Sequence, residues 1–175
     1  AWEDAIRPNT KVFFFETPAN LPLDIVDLEF VCGLARSRGI MTVVDNAFCT
    51  SVIQRPLEWG ADVVAYSATK LMDGQGRVLA GAVCGSADFI NGKLLPFQRN
   101  TGPNLSPFNA WVVLKGLETL ELRVARQSEN AVRVGRFLEG RVPKILHPGL
   151  PSHPQYELAA KQMDAGGTIF SMILD

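Results

Sequence analysis

The 175-residue chain is poor in the residues that announce a metal centre or a disulfide framework: it has 3 cysteines, 2 histidines and 2 tyrosines. Cys32, Cys49 and Cys84 are odd in number, far apart and form no C-x-x-C pair, which excludes a disulfide scaffold and a thiolate cage. Each stands in an apolar stretch, so they read as buried free thiols of a reducing compartment. His147 and His153 share a proline-rich loop with no cysteine or carboxylate at ligand spacing, and read as loop residues. No apolar run approaches the roughly 20 residues of a membrane span, and no signal peptide opens the chain. Charge of one sign is also missing: 17 basic and 18 acidic residues leave a net charge of -1, without the blocks that bind nucleic acid or a membrane surface. There is no G-x-S-x-G elbow, and Gly74-x-Gly76 lacks a third glycine at 79 and precedes a strand, which excludes a hydrolase nucleophile and a dinucleotide loop. Small molecules and copies of the same chain are the partners left, with a cytoplasmic location expected.

What is present is alternation. Lys11-Val12-Phe13-Phe14-Phe15 predicts a strand, closed by the turn chemistry of Glu16-Thr17-Pro18-Ala19-Asn20. From Asp24 the period becomes helical, with Asp24 as cap, Asp27 three later, and a stripe of Ile25, Leu28, Val31, Cys32 and Ala35. Met41-Thr42-Val43-Val44 predicts the next strand, Leu57-Glu58-Trp59-Gly60 a helix end, and Val63-Val64-Ala65-Tyr66 a third strand. Apolar strands alternating with helices specify an α/β fold with a mixed, mostly parallel sheet and helices on both faces. The strand at 78–84 follows only 11 residues, 67–77, short for a helical crossover, so it is expected to run antiparallel. Ser86-Ala87-Asp88 predicts a short helix, residues 99–104 a polar loop, and Ser106-Pro107 a helix start. Periodicity then stays helical over 108–138, with Val112, Leu117, Leu120, Val124, Val132 and Leu138 inward and Arg123, Arg126, Arg133 and Arg136 in water. Gly116 and Gly135 are its weak points, at about 1 kcal/mol each relative to alanine. A helix of that length links domains, here residues 1–120 and 121–175. Strands at 142–146 and 168–174 and a helix at 156–162 complete the chain, whose two ends read as cuts in something longer.

Asn20, Asp45 and Lys70 recur at intervals of 25 residues, each just past the end of a strand, so one sheet edge receives all three. Ser67 and Thr69 add two hydroxyls and backbone N–H groups in a tight turn of the kind that holds a phosphate. An amine, an isolated acid, an amide and phosphate donors are what pyridoxal 5'-phosphate requires. A carboxylate ~4 Å from the ring nitrogen, at an effective dielectric near 20, contributes about 4 kcal/mol toward keeping the pyridine protonated.

These stretches carry a family resemblance. Glu16-Thr17-Pro18-Ala19-Asn20, Val43-Val44-Asp45-Asn46-Ala47-Phe48, Gly60-Ala61-Asp62-Val63-Val64 and Ser67-Ala68-Thr69-Lys70 resemble, in order, the signatures of the Cys/Met-metabolism family of pyridoxal-phosphate-dependent enzymes. That family includes cystathionine γ-synthases, γ- and β-lyases and homoserine-ester sulfhydrylases. The resemblance implies an aspartate-aminotransferase-like fold (PLP fold type I) running into the start of a C-terminal α+β domain. It also implies Lys70 as covalent anchor, Asp45 at the pyridine nitrogen, Ser67 and Thr69 near the phosphate, and Asn20 near the cofactor hydroxyl. Asp73-Gly74-Gln75-Gly76-Arg77 and the motifs around residues 102–111 and 148–154 resemble O-succinylhomoserine sulfhydrylases. The implied reaction is γ-replacement in methionine biosynthesis: O-succinylhomoserine and sulfide give homocysteine and succinate. Cystathionine γ-synthase or γ-lyase chemistry is the alternative within the family, and a non-catalytic fragment retaining the fold the alternative outside it. The pattern departs at Ala19, where a small hydroxyl residue is usual, and at Leu21, where a proline is usual. Arg77 is expected to face an acidic leaving group or to pair in solvent. Family members are roughly twice this length, which implies that the ring-stacking tyrosine and the carboxylate-gripping arginine lie elsewhere. The parent is expected to be a homo-oligomer, a dimer of dimers with its site shared between subunits.

Overall fold

The computed structural model describes residues 1–174. Strand β1 (Val12–Glu16), helix α1 (Leu28–Ser37), strand β2 (Met41–Asp45), the short helix α2 (Thr50–Ile53), a 3-10 turn at Pro56–Trp59, and strands β3 (Val63–Ser67) and β4 (Gly81–Gly85) form the first part. The sheet order is β1-β2-β3-β4. The first two pairings are parallel and the third antiparallel, as the short 67–77 connection requires.

Both parallel crossovers advance the same way across the sheet, so right-handed connections put their helices on one face. There Phe13, Phe15, Val44 and Val64 pack against Leu28, Val31, Cys32 and Ala35 of α1. Each fully buried valine or leucine contributes about 1.5–3 kcal/mol. On the opposite face Phe14 is 67% exposed, and Val12 on the same strand and Val83 on β4 are exposed as well. Helix α1 begins later than expected, with Asp27 accepting from Phe30 N–H at 3.0 Å. Asp24 does not cap it because the next residues are taken by distant partners: Ile25 N–H by Gln155 Oε1 at 2.7 Å and Val26 N–H by Thr17 Oγ1 at 3.0 Å.

Beyond the sheet, α3 (Ala87–Phe89) runs through a wide turn at Ile90–Leu94 into α4 (Leu95–Thr101), absorbing part of the expected polar loop. The predicted long helix is two, α5 (Pro107–Leu117) and α6 (Leu120–Leu138), parted near Gly116, while α6 passes through Gly135 unbroken. Strand β5 (Lys144–Leu146) pairs antiparallel with β6 (Ser171–Ile173), and α7 (Tyr156–Gln162) lies between them in sequence. A second core joins Ile25, Cys49 and Ile53 to Leu120 and Val124 of α6 and to Ala159 and Met163. Cys84, expected to be buried, is exposed on the edge strand β4.

The two histidines fasten the 147–155 segment. His147 Nδ1 accepts from Gly149 N–H at 3.0 Å, so its proton sits on Nε2, 3.1 Å from Gly167 C=O. His153 Nδ1 accepts from Gln155 N–H at 3.1 Å. Burial pushes both imidazoles below the ordinary histidine value. A base with a lowered folded pKa binds its proton more readily when unfolded, so its contribution is complete above about pH 6.5 and is lost as pH falls toward the folded value. Thermal unfolding should therefore move to lower temperature between about pH 7.5 and 5.5, with a slope of up to about 1.4 kcal/mol per pH unit per histidine. Scans across that range on the protein and on His147→Asn check this; equal slopes would show that His147 is not responsible.

Candidate active site

The parallel register brings the predicted residues to one edge. Glu16, the last residue of β1, pairs with Asp45, the last residue of β2, and Asp45 pairs with Ala65, two residues before β3 ends at Ser67. With strands about 4.8 Å apart, the three carboxyl ends span roughly 10 Å. Asn20 is exposed and held back toward this edge by its N–H, which donates to Glu16 Oε2 at 2.8 Å. The following Leu21 adopts φ 70°, a left-handed conformation closed to the proline usual at that position. Asp45 is half-buried, and its Oδ1 accepts from Ala47 N–H at 2.9 Å.

After Ser67 the chain enters a turn, Ala68–Met72, with the wider π spacing: Asp73 N–H bonds to Ala68 C=O at 2.9 Å. Lys70 departs from helical geometry within it, at φ -86° and ψ -117°, and is exposed. Such single-turn π insertions occur often at functional sites. Among the described residues, neither the Lys70 amine nor the Ser67 hydroxyl has a hydrogen-bonding partner in the chain. Thr69 differs: its hydroxyl accepts from Ala80 N–H at 2.9 Å and donates to Ala80 C=O at 3.2 Å. That hydroxyl ties the turn to the segment entering β4, so its proton is engaged within the protein.

Beneath this edge lies a buried amide network that no motif announced. Asn46, next to Asp45, donates from Nδ2 to the carbonyls of Thr50 and Gln54 at 3.0 and 2.8 Å. Gln54 Nε2 donates to Thr17 C=O at 2.9 Å and to Asn46 Oδ1 at 3.0 Å. Gln162 of α7 donates to Val26 C=O at 3.0 Å and to Gln54 Oε1 at 3.1 Å. Asn46 and Gln54 are fully buried. The loops carrying Asn20 and following Asp45 are thus held by one satisfied polar layer, the condition under which such networks rigidify a structure. The sequence signal was faint: Gln54 directly follows the short α2, and Gln162 ends α7.

The whole chain, residues 1–175, matches the family model for Cys/Met metabolism PLP-dependent enzymes. The chain belongs to this family. It is 48% identical over 176 residues to an O-succinylhomoserine sulfhydrylase of Mycobacterium tuberculosis, an alignment covering 99% of this chain and 43% of that protein. An O-succinylhomoserine sulfhydrylase of Pseudomonas aeruginosa is 46% identical over 98% of this chain and 43% of its own length. An L-methionine gamma-lyase of Porphyromonas gingivalis is also 46% identical, over 97% and 43%. A crystal structure of cystathionine gamma synthase from Xanthomonas oryzae pv. oryzae, in complex with aminoacrylate and cysteine, superposes with a TM-score of 0.96 at 38% identity. It covers 99% of this chain and 46% of that one. The chain therefore spans less than half the length of each of these four relatives.

Pyridoxal 5'-phosphate is the cofactor of the Cys/Met metabolism enzymes, and the residues at this edge fit it: a free amine, a half-buried carboxylate and a free hydroxyl stand at the ends of adjacent strands. Arg77 is not free to meet a leaving group. Its Nε is 2.8 Å from Asp73 Oδ1, and Nη2 reaches the carbonyls of Asp73 and Val112 at 3.3 and 3.4 Å. Asp73 is fully buried. The N–H of Arg77, followed by its guanidinium and the N–H of Gln75, holds the Asp73 carboxyl below the usual range against the opposing effect of burial. Among the described residues no cluster of histidine, cysteine and carboxylate is placed to hold a metal, and no helix is long and apolar enough to cross a membrane.

Proposed function

We propose that the full-length protein containing this chain catalyses γ-replacement on an O-acylhomoserine, converting O-succinylhomoserine and sulfide to homocysteine and succinate. The observation that carries its chemistry is the unpartnered Lys70 at a π turn, on the same sheet edge as half-buried Asp45. In this reading Lys70 anchors the cofactor covalently and, once displaced by the substrate amine, moves protons at the substrate carbons as general base. Asp45 keeps the pyridine nitrogen protonated, Ser67 donates to the phosphate, and Asn20 stands at the cofactor hydroxyl. Thr69 belongs to the phosphate end of the site, with its hydroxyl bracing the turn. When bound, pyridoxal 5'-phosphate supplies an electron sink for negative charge developing on the substrate.

The choice of reaction is supported by the two sulfhydrylases at 46–48% identity. A second reading, γ-elimination or cystathionine synthesis, is favoured by the equally similar methionine gamma-lyase and the close fold match to a cystathionine synthase. The reading includes a cytoplasmic setting and a cofactor-binding domain over residues 1–120, with 121–175 beginning a second. The break before Leu120 and the separate β5–β6 sheet support that division. It also includes a homo-oligomer, a dimer of dimers sharing its site between subunits. The outer side of α5 supports this: Phe108, Trp111 and Leu114 are all exposed, an apolar stripe of the kind that marks an interface.

The test supplies full-length protein with O-succinylhomoserine and either sulfide or cysteine. Homocysteine and succinate from the first mixture, in excess of cystathionine from the second, are the expected products. Predominant cystathionine, or a keto acid from methionine alone, would move the assignment to the second reading. Sedimentation of the same preparation as an active monomer would end the shared-site part.

A further inference from the structure

The residues after Lys70 are held to the helices behind them by two arginines. The first, Arg77, is locked to buried Asp73 and reaches Val112 C=O on α5. The second, Arg123 near the start of α6, was expected to lie in water but is half-buried against the turn. Its Nη1 donates to Leu71 C=O at 2.8 Å, and its Nη2 to Met72 C=O at 3.3 Å and Gly116 C=O at 2.8 Å. Its Nε donates to Thr119 Oγ1 at 3.0 Å. A methyl group at Gly74 would lie 2.1 Å from Arg123 Nη1, so the guanidinium also packs against the backbone that follows the turn.

We propose that Arg123 is a positioning residue for Lys70. The carbonyls of Leu71 and Met72 belong to the second and third peptide groups after Lys70, and the first is held by Gly74 N–H, which donates to Lys70 C=O at 2.8 Å. Holding both carbonyls with one rigid fork fixes the plane of the peptides that follow Lys70, and so the direction in which its side chain leaves the turn. Lysine at 123 keeps the charge but lacks the fork that serves three carbonyls at once. The inference rests on Lys70 being the cofactor anchor.

The test uses full-length protein with Arg123→Lys and Arg123→Met, and Arg133→Lys on the exposed side of α6 as control. In cofactor-free protein, hydrogen exchange at the Asp73 and Gly74 amides should quicken roughly tenfold in Arg123→Lys, and not in the control. After loading, the pH midpoint of the cofactor's visible absorbance should shift in both Arg123 variants, with kcat falling more than KM changes. Should Arg123→Met fail to fold, Arg123→Lys alone decides. Unchanged exchange and an unchanged midpoint, with only a lower unfolding temperature, would overturn the inference and leave the Lys70 reading standing. Wild-type protein that never labels Lys70 with cofactor would overturn both.

Discussion

Lys70→Ala in the full-length protein is expected to abolish covalent cofactor attachment and lower turnover by about a thousandfold or more, the scale of a lost nucleophile and general base. Borohydride reduction of wild-type protein loaded with pyridoxal 5'-phosphate, followed by peptide mapping, should find the label at Lys70 and nowhere else in residues 1–175. Among the other lysines, Lys115 pairs with Glu118 and Lys161 with Glu29, and neither lies at the strand edge where Asp45 and Ser67 stand. Asp45→Asn separates the two roles: it should keep the label and lose rate, because the amide cannot hold a proton on the ring. A labelled Lys70→Ala protein, or wild-type label on a different lysine, would remove the basis for the proposed function.

Gly116→Ala should cost about 2 kcal/mol of unfolding free energy. Alanine is favoured over glycine by about 1 kcal/mol in a helix interior, but the new methyl would stand 2.4 Å from Met72 C=O, 2.8 Å from Asp73 C=O and 3.0 Å from Asp73 Cα. These are backbone atoms, which cannot swing aside as a side chain would. Overpacking of this kind costs about 3 kcal/mol, so the clash exceeds the helical gain. Denaturant titration against Gly92→Ala, whose methyl would meet nothing within 4 Å, isolates the effect. Equal stability of the two variants would mean that α5 does not press on the turn after Lys70.

Strand positions and the gathering of Asn20, Asp45 and Lys70 at one edge were legible because they follow from period and chain length. Each strand is an apolar run of about five residues; Asp45 is the last residue of its strand, and Asn20 and Lys70 stand a few places past the ends of theirs. The antiparallel fourth strand was legible for a similar reason, since 11 residues leave too little chain for a crossover. Arg123 was misread because helical period assigns a face and not what covers it; a long cation facing outward on an isolated helix meets three carbonyls once the Lys70 turn lies beside it. Cys84 was misread because an apolar strand looks alike at the centre and at the edge of a sheet. Asp24 lost the cap to Asp27 through Gln155, 130 residues away from Ile25, a partner that no local pattern encodes.

That distance also sets an order of events during synthesis. Ile25 donates to Gln155 and accepts from it at 2.6 Å, and Leu28 N–H and Val26 C=O meet Gln162. The sheet edge that carries Asp45 can pair its strands early, but the backbone from Ile25 to Leu28 stays open to water until α7 has left the ribosome. The segment between Asn20 and α1 therefore settles only after the 130 residues that separate Ile25 from Gln155 have been made.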